Sequence, residues 1–468
     1  MSIELIQQEV LALKMSQNAG ALRRLMQQYH LADMAEALKL LIEQQRLNQE
    51  ELRALLWLMP LSQRAQIFGY LPMEIQLQQA DHLSVDALAK LLEAMPHDER
   101  VDVYNGLATA QKQAVLALMQ QHEQQDIQKL ASYPQGSVGA VMTSDFAVLE
   151  PQMTAAEALA AVRRYGREKE TIYQAYVLND SQQLMGTLSL KELILAEPEE
   201  VIADFMVQSP ITLRVEEDQE KVAQLISKYD LLAVPVLNGG DRMVGIVTYD
   251  DAMDVARAEG EEDFQRMAGV TDGVEMGHKG QIGQIATSLK DATISLLYKK
   301  RVFWLVLLVF GNIFSGAGIA YFEDTIEAYI ALVFFLPLLV DSGGNAGSQS
   351  ATLMVRALAT GEVVLKDWAS MLGRELVVAG LLGATMAVAV SVLGIWRGGM
   401  EIALVVALTM QLVVVVGSMI GMSLPFLLSR LKFDPATASA PLITSVADAV
   451  GVVIYFAIAT MILDIPLA

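Results

Sequence analysis

From Val302 to its end the sequence is a succession of long apolar runs separated by short polar stretches. Five runs, at about 302–320, 328–354, 374–396, 402–428 and 440–463, reach the length a helix needs to cross a bilayer, roughly 20 residues. The basic residues then orient the chain. Lys299, Lys300 and Arg301, then Arg356, Lys366 and Arg374, then Arg430 and Lys432 fall on one side, against Arg397 alone on the other. The positive-inside rule places the N-terminus in the cytosol and the C-terminus outside.

Two of the five runs are not ordinary membrane sequence. The second holds Pro337 and then Asp341-Ser-Gly-Gly-Asn345-Ala-Gly-Ser-Gln-Ser350. The fifth reads Pro441-Leu-Ile-Thr444-Ser445-Val-Ala-Asp448-Ala-Val-Gly451, which puts a carboxylate near mid-membrane. A charged Asp there costs ~2.5–3.5 kcal/mol on insertion scales and turns to protein or to water. Gly343, Gly344, Ala346 and Gly347 suit close helix packing. Asp448 has two readings: a buried structural hydrogen bond, or, with Thr444 and Ser445, an oxygen-lined path for a hard cation such as magnesium.

Up to Arg301 the chain is rich in Gln, Leu and Glu and carries 27 Lys and Arg against 43 Asp and Glu, a net of −16 out of the total −21. An acidic soluble half argues against nucleic acid and for cations as partners, although many soluble domains are acidic without any such role. The absence of cysteine excludes disulfides, thiolate metal sites and cysteine nucleophiles. Met1–Val10 has neither a basic nor an apolar signal region, so the first half is expected in the cytosol.

This half contains two internal repeats. Leu55-Leu-Trp-Leu-Met-Pro60-Leu-Ser-Gln-Arg64 recurs 36 residues on as Leu91-Leu-Glu-Ala-Met-Pro96-His-Asp98-Glu-Arg100. Short paired helices broken at Pro60, Pro72 and Pro96 predict an α-superhelical domain over 1–130. Val141-Met-Thr143 and Phe205-Met-Val207, 64 residues apart, open two further units. Each has a helix, then strands around a Gly turn: Ala175-Tyr-Val-Leu with Met185-Gly-Thr-Leu-Ser189, and Ala233-Val-Pro-Val-Leu with Val244-Gly-Ile-Val-Thr248. These resemble a tandem pair of CBS domains, 138–200 and 201–260. The resemblance implies an adenine nucleotide (ATP) site in the cleft, for which Thr248 and Asp251 fit better than Ser189 and Glu192.

Asp250, Asp251, Asp254, Glu259, Glu261, Glu262 and Asp263 fall within fourteen residues, with Arg257 the only base. Such a run is either a solvated helical face or a set of carboxylates bridged by divalent cations when packed against more acid. Ile282, Ile285, Leu289, Ala292 and Leu296 then form a helical stripe leading to Lys299, as a connecting segment over 261–300.

A helical repeat, a CBS pair, a connecting helix and a 301–468 pore domain with five helices, carrying Asp-Ser-Gly-Gly-Asn-Ala-Gly-Ser-Gln and Asp434-Pro-Ala, resembles the MgtE family of magnesium channels along the whole chain. The fold class implied is a mainly α membrane protein with a cytosolic α-helical repeat and α/β CBS domains. The resemblance implies a multi-pass inner-membrane homodimer with two Asp448 carboxylates across the pore, joined by Thr444, Asp341 and Asn345. It also implies a cytosolic magnesium sensor built from Asp98 and Asp102, from Glu220, Asp230, Asp251 and Asp254, and from Glu259, Glu262 and Asp263. Closure by magnesium would follow if closed packing creates ion sites absent from the open form. One departure from the family is Ala440, where a polar residue often precedes the proline.

A zinc intramembrane protease is excluded because His30, His82, His97, His122 and His278 all precede the membrane half. An aspartyl protease pairing Asp341 with Asp448 lacks the Gly-x-Gly-Asp signature, and no phosphate-binding Gly-x-x-x-x-Gly-Lys loop suggests a pump. Transport of cobalt, manganese or nickel by the same architecture is the nearer alternative, although a site without His or Cys leans to magnesium. A membrane-tethered sensor without conduction would leave Asp448 and the second-run motif without a role.

Overall fold

The computed structural model describes residues 3–16, 19–166, 169–270 and 294–463. Among these, a first compact unit ends at Ala256 and a second begins at Arg257. The predicted stripe Ile282, Ile285, Leu289 and Ala292 lies outside the described residues, as does the Leu296 side chain.

Up to Leu130 the first unit is a run of short helices, and the three predicted prolines end up where proline is tolerated. Pro60, Pro72 and Pro96 each stand at the N-cap of a helix, where a missing N–H costs nothing. Each helix packs on the one two further along. Leu31–Glu43, Leu61–Tyr70, Val85–Glu93 and Thr109–Leu116 form one row, and Gln49–Trp57, Met73–Ala80, His97–Gly106 and Gln121–Leu130 form the other. The repeated Met59 and Met95 are buried between the rows. The repeated arginines differ. Arg64 Nε donates to Leu56 O at 3.0 Å, capping its own preceding helix, whereas the fully buried Arg100 reaches the helix Gln121–Leu130.

Two small sheets follow. Strand β1 (Phe146–Leu149) runs parallel to β2 (Thr171–Leu178), which pairs antiparallel with β3 (Leu184–Ser189), and β3 pairs with the short β4 (Val207–Gln208). In the second repeat β5 (Leu213–Arg214) is parallel to β6 (Ala233–Leu237), itself antiparallel to β7 (Met243–Thr248). The segment opening each repeat is used by the other. Thr143 N donates to Ile246 O at 2.9 Å and Ile246 N returns the bond at 2.9 Å, while Val207 pairs with Thr187 on β3. The glycine turns make this approach possible. A Cβ on Gly245 would stand 2.7 Å from Met142 Sδ, and one on Gly186 2.8 Å from Met206 Sδ. β7 runs into a 19-residue helix, Tyr249–Met267, called the acidic helix below.

Among the described residues of the second unit three helical segments are long and apolar enough to cross a membrane: Leu297–Tyr321, Leu365–Arg430 and Ala440–Ile462. The five-span expectation differs for two physical reasons. The helix Ala331–Ala359 carries the polar stretch around Asp341 and Asn345, which lowers its hydropathy. The third and fourth predicted runs lie in one stretch, Trp368–Arg430, interrupted at Gly399 by φ 82° and ψ −172°. A Cβ on Gly394 would lie 2.6 Å from Ala403 Cα, although nine residues of continuous helix span about 13 Å, so the chain folds back at Gly399. That backbone angle requires glycine.

Ala331–Ala359 packs on both Trp368–Arg430 and Ala440–Ile462. Leu332, Phe335, Leu339, Val406, Val414, Tyr455 and Phe456 fill the contact, and Tyr455 Oη donates to Leu332 O at 2.9 Å. Glycines set the closest approach. A Cβ on Gly417 would lie 2.2 Å from Gly343 O, and one on Gly421 1.9 Å from Gly347 O, an interleaved small-xxx-small contact. Gly421→Ala is therefore expected to cost ~1–3 kcal/mol of overpacking. Thermal unfolding of the detergent-solubilised protein checks this, with Gly373→Ala, which has nothing within 4 Å, as the neutral control.

Candidate functional site

The membrane unit brings the four sequence-predicted pore residues onto two facing helices. Proline and small residues leave Ala331–Ala359 helical but without bulk over one turn, so that the last helix, Ala440–Ile462, lies against it. Gly344 is the point of contact: a Cβ there would meet Thr444 Cγ2 at 2.7 Å and Asp448 Oδ1 at 3.3 Å. Ser348 Oγ lies 3.3 Å from Thr444 Oγ1 and 3.4 Å from Ala440 O, to which Thr444 Oγ1 also donates at 2.8 Å. The carbonyl of Ala440 thus supplies an oxygen where the side chain offers none. Asn345 Nδ2 donates to Asp341 Oδ2 at 2.9 Å, and Asp341 is near enough to act electrostatically on Asp448.

Two features are unusual for a membrane helix pair. Asp448 Oδ1 is buried with no hydrogen-bond partner among the described residues. Asp341, Asn345 and Gln349, four residues apart in turn, form an exposed polar stripe along one face of Ala331–Ala359. Every donor in this set is oxygen or amide, the donor type that suits hard, hydrated cations.

The first unit holds a second constellation. On the helix His97–Gly106, Asp98 and Glu99 feel the charge of Glu170, Asp98 acts on Asp251, Asp102 acts on Asp98 and Glu99, and the Glu99 carboxylate lies against Gly69; Asp250 acts on both Glu170 and Asp251. Burial, with the charge of Glu170 behind it, pushes Asp98 up to about 6. Burial and then the charges of Asp98, Glu170 and Asp251 push Glu99 up to about 8. Burial raises Asp102 to about 6; burial and Asp251 raise Glu170 to about 7; burial and Asp98 raise Asp251 to about 7. His97 opposes the rise at Glu170. A carboxylate-rich cluster of this kind fits a hard divalent cation, which would favour the ionised forms that burial and mutual repulsion oppose.

The neighbouring cluster of His97, Glu123 and Asp126 has metal-like spacing but is already neutralised. The buried Arg100 guanidinium pairs with Glu123 and with Asp126 at 2.6 Å, and Asp126 also takes hydrogen bonds from His97 Nδ1 and Ser144 Oγ. Burial would raise the Asp126 pKa, yet these bonds hold it far below the usual carboxylate range. This network ties the last helices of the stack to Ser144 and Asp145 at the start of the CBS pair, where Lys169 also pairs with Asp145 at 2.6 Å.

Other sensor candidates are placed differently. Asp230 is exposed at a left-handed helix C-cap, with φ 53°. Glu220 opens the helix Glu220–Tyr229, and its backbone N–H donates to Asp218 Oδ1 at 3.0 Å. Asp254 is exposed on the acidic helix, where Glu259 and Asp263 are half-buried. Glu262 pairs with Arg266 one turn on. The nucleotide candidates Thr248 and Asp251 are bonded to each other, Thr248 Oγ1 donating to Asp251 Oδ2 at 2.5 Å. Their counterparts in the first repeat, Ser189 and Glu192, form a helix capping box.

Sequence reasoning missed Glu99, Glu170 and Ser348. Glu99 adjoins Asp98 in the repeated Met-Pro motif, and Ser348 lies one turn beyond Gly344 on the side that faces Thr444, so both had a local signal. Glu170 had none, because it precedes β2 and meets the cluster only through the fold.

The MgtE profile, described as a divalent cation transporter, matches residues 336–458; the MgtE intracellular N domain matches 29–136; CBS domains match 138–199 and 202–258. The magnesium transporter MgtE of Bacillus subtilis is 33% identical over 395 residues, 84% of each chain. That of Thermus thermophilus is 32% identical over 456 residues, 95% of each chain. A crystal structure of the soluble part of a magnesium transporter is 29% identical with a TM-score of 0.51, covering 55% of this chain and 99% of that one. The cytosolic domain of the Mg2+ channel MgtE in complex with ATP is 29% identical with a TM-score of 0.50, covering 53% of this chain and 99% of that one. With about a third of its residues identical to these transporters over most of its length, the chain belongs to the MgtE family of divalent cation transporters.

Proposed function

We propose that this chain conducts magnesium across the inner (plasma) membrane as a homodimer, and that it closes when cytosolic magnesium is abundant. The observation that carries the reading is Asp448, whose buried carboxylate oxygen has no partner among the described residues and lies against Gly344 on a helix with a polar stripe. Relatives of similar length bear the name magnesium transporter. Five crossings follow if the chain reversal at Gly399 divides one long segment in two and the polar helix also spans. The N-terminus then lies in the cytosol and the C-terminus outside, as the basic loops require. An exposed row of Asp341, Asn345 and Gln349 is costly against lipid. A two-fold dimer would turn two such rows toward one water-filled path. This division makes 1–130 a helical domain, 138–200 and 201–260 the CBS pair, 261–300 the connector and 301–468 the pore.

The sensor reading rests on Asp98, Asp102 and Asp251, joined by Glu99 and Glu170, as carboxylates that a divalent cation would hold together. Glu220, Asp230, Asp254, Glu259, Glu262 and Asp263 are proposed to act at other stages of the same response. Because a related cytosolic domain was solved with ATP, Thr248 and Asp251 are proposed to line a nucleotide site in the CBS cleft. Cobalt, manganese or nickel is the second reading for the cargo, since oxygen donors accept them as well.

The test is cation flux into proteoliposomes holding the full chain. Magnesium-dependent flux that falls when the face bearing the N-terminus is exposed to millimolar magnesium supports the proposal. Flux of cobalt, manganese or nickel without magnesium flux replaces the cargo, and flux indifferent to magnesium on that face removes the gating.

A further inference from the structure

The C-terminal turn of the acidic helix and the loop before the last helix meet within the second unit at Arg266. Arg266 is buried, at 8% exposure, and its two terminal nitrogens donate to different carboxylates: one to Glu262 on its own helix, the other to Asp434, 168 residues on. Asp434 is fully used. Its Oδ1 accepts from Ala436 N at 2.8 Å, capping the turn Pro435–Thr437, while Oδ2 takes the guanidinium. Asp263 acts on the same guanidinium electrostatically, so several carboxylates surround a single fixed cation. Just beyond, Gly269, in a left-handed conformation with φ 68°, lies where a Cβ would be 3.6 Å from Pro441 Cγ and 4.0 Å from Trp304. Pro441 stands in the first turn of the helix that bears Asp448.

A guanidinium bridging two carboxylates does what a divalent ion would do between them, with fixed geometry and without a binding equilibrium. We infer that Arg266 is a positioning residue, a built-in cation that ties the end of the acidic helix to the start of the pore helix whether or not magnesium is present. Magnesium gating then reads the carboxylates nearer the start of the acidic helix, and Arg266 passes the position of its end to Asp434, Pro441 and Asp448. Glu262, held by Arg266, enters the response through this tie. The transmission half of this inference rests on the gating proposed above, whereas the tie itself does not.

The experiment is a double-mutant cycle on the full chain with Arg266→Gln and Asp434→Asn, the latter chosen because its amide oxygen keeps the Ala436 cap. Thermal unfolding in EDTA reads the tie. Each single variant lowers the melting temperature, the double lowers it no further than the larger single, and Arg266→Lys retains part of the stability. Additive effects in EDTA overturn the tie. Flux reads the transmission. Both single variants keep flux at low magnesium but need on the order of threefold to tenfold more magnesium for half-inhibition. An unchanged inhibition curve alongside a coupled thermal cycle overturns the transmission and leaves a structural strut. A wild type that magnesium never inhibits overturns the transmission together with the gating reading, while the EDTA cycle still decides the tie.

Discussion

Asp448→Ala is expected to abolish magnesium flux, lowering it at least roughly tenfold and in practice to the background of empty liposomes. The carboxylate is the one ionisable group of the last helix besides the buried Tyr455, and the rest of that helix is uncharged. A hydrated magnesium ion gives up its water reluctantly, so a pore needs a charged oxygen to favour the ion without stripping it. Asp448→Asn keeps the shape and separates charge from oxygen donation, and it is expected to lose most of the flux as well. Gly344→Ala tests the same place from the other helix. Its Cβ would stand 2.7 Å from Thr444 Cγ2 and 3.3 Å from Asp448 Oδ1, so the last helix must move. Isotope uptake or a magnesium-sensitive dye in proteoliposomes decides. Wild-type flux in Asp448→Ala would remove Asp448 from the path and leave the structural hydrogen-bond reading in force.

The second large effect belongs to the carboxylates of the first unit. Asp98→Asn with Asp251→Asn is expected to raise the magnesium needed for half-inhibition by at least about tenfold. In the absence of divalent cations it is also expected to raise the melting temperature, on the order of 5 °C. The second effect follows from linkage. Asp98, Glu99, Asp102, Glu170 and Asp251 are pushed up to about 6 to 8 from the ordinary 3.8 or 4.5. Between those limits the folded unit binds more protons than the unfolded chain, so its stability falls as pH rises through roughly 4 to 8. Without magnesium the wild type should therefore be more stable at pH 5 than at pH 8, and magnesium should restore most of the difference at pH 8. Melting curves at two pH values with and without magnesium check this. A wild type equally stable at both without magnesium would show that the cluster is solvated and repels little.

Much of this was legible in the sequence, for particular reasons. Pro60, Pro72 and Pro96 announced helix starts because proline tolerates few positions in a helix. The small residues around Gly343 and Gly347 announced close packing, and their partners Gly417 and Gly421 were in plain view one helix away. That Asp341, Asn345, Thr444 and Asp448 stand apart from ordinary membrane sequence was legible because polar residues in an apolar run have few permitted surroundings. Contacts between residues far apart in the chain were less legible. Glu170 belongs to no helix or strand pattern, and its role depends on where β2 places it. Arg266 lies just past the acidic run, and its role depends on the loop carrying Asp434, which comes from far along the chain. The short break between the third and fourth apolar runs, from Arg397 to Glu401, was visible as composition, but the backbone angle that turns the chain at Gly399 was not.

The exchanged pairing of the CBS repeats has a consequence for how the chain is made. During synthesis the first repeat emerges with one edge of β3 open, and its own leading strand segment cannot cover that edge. It must wait for Val207 and Gln208, while Met142 and Thr143 wait for β7 to complete their ladder. Each repeat thus completes the other's sheet, and a nascent chain halted near residue 200 would present an unpaired strand edge of the kind that seeks another copy of itself.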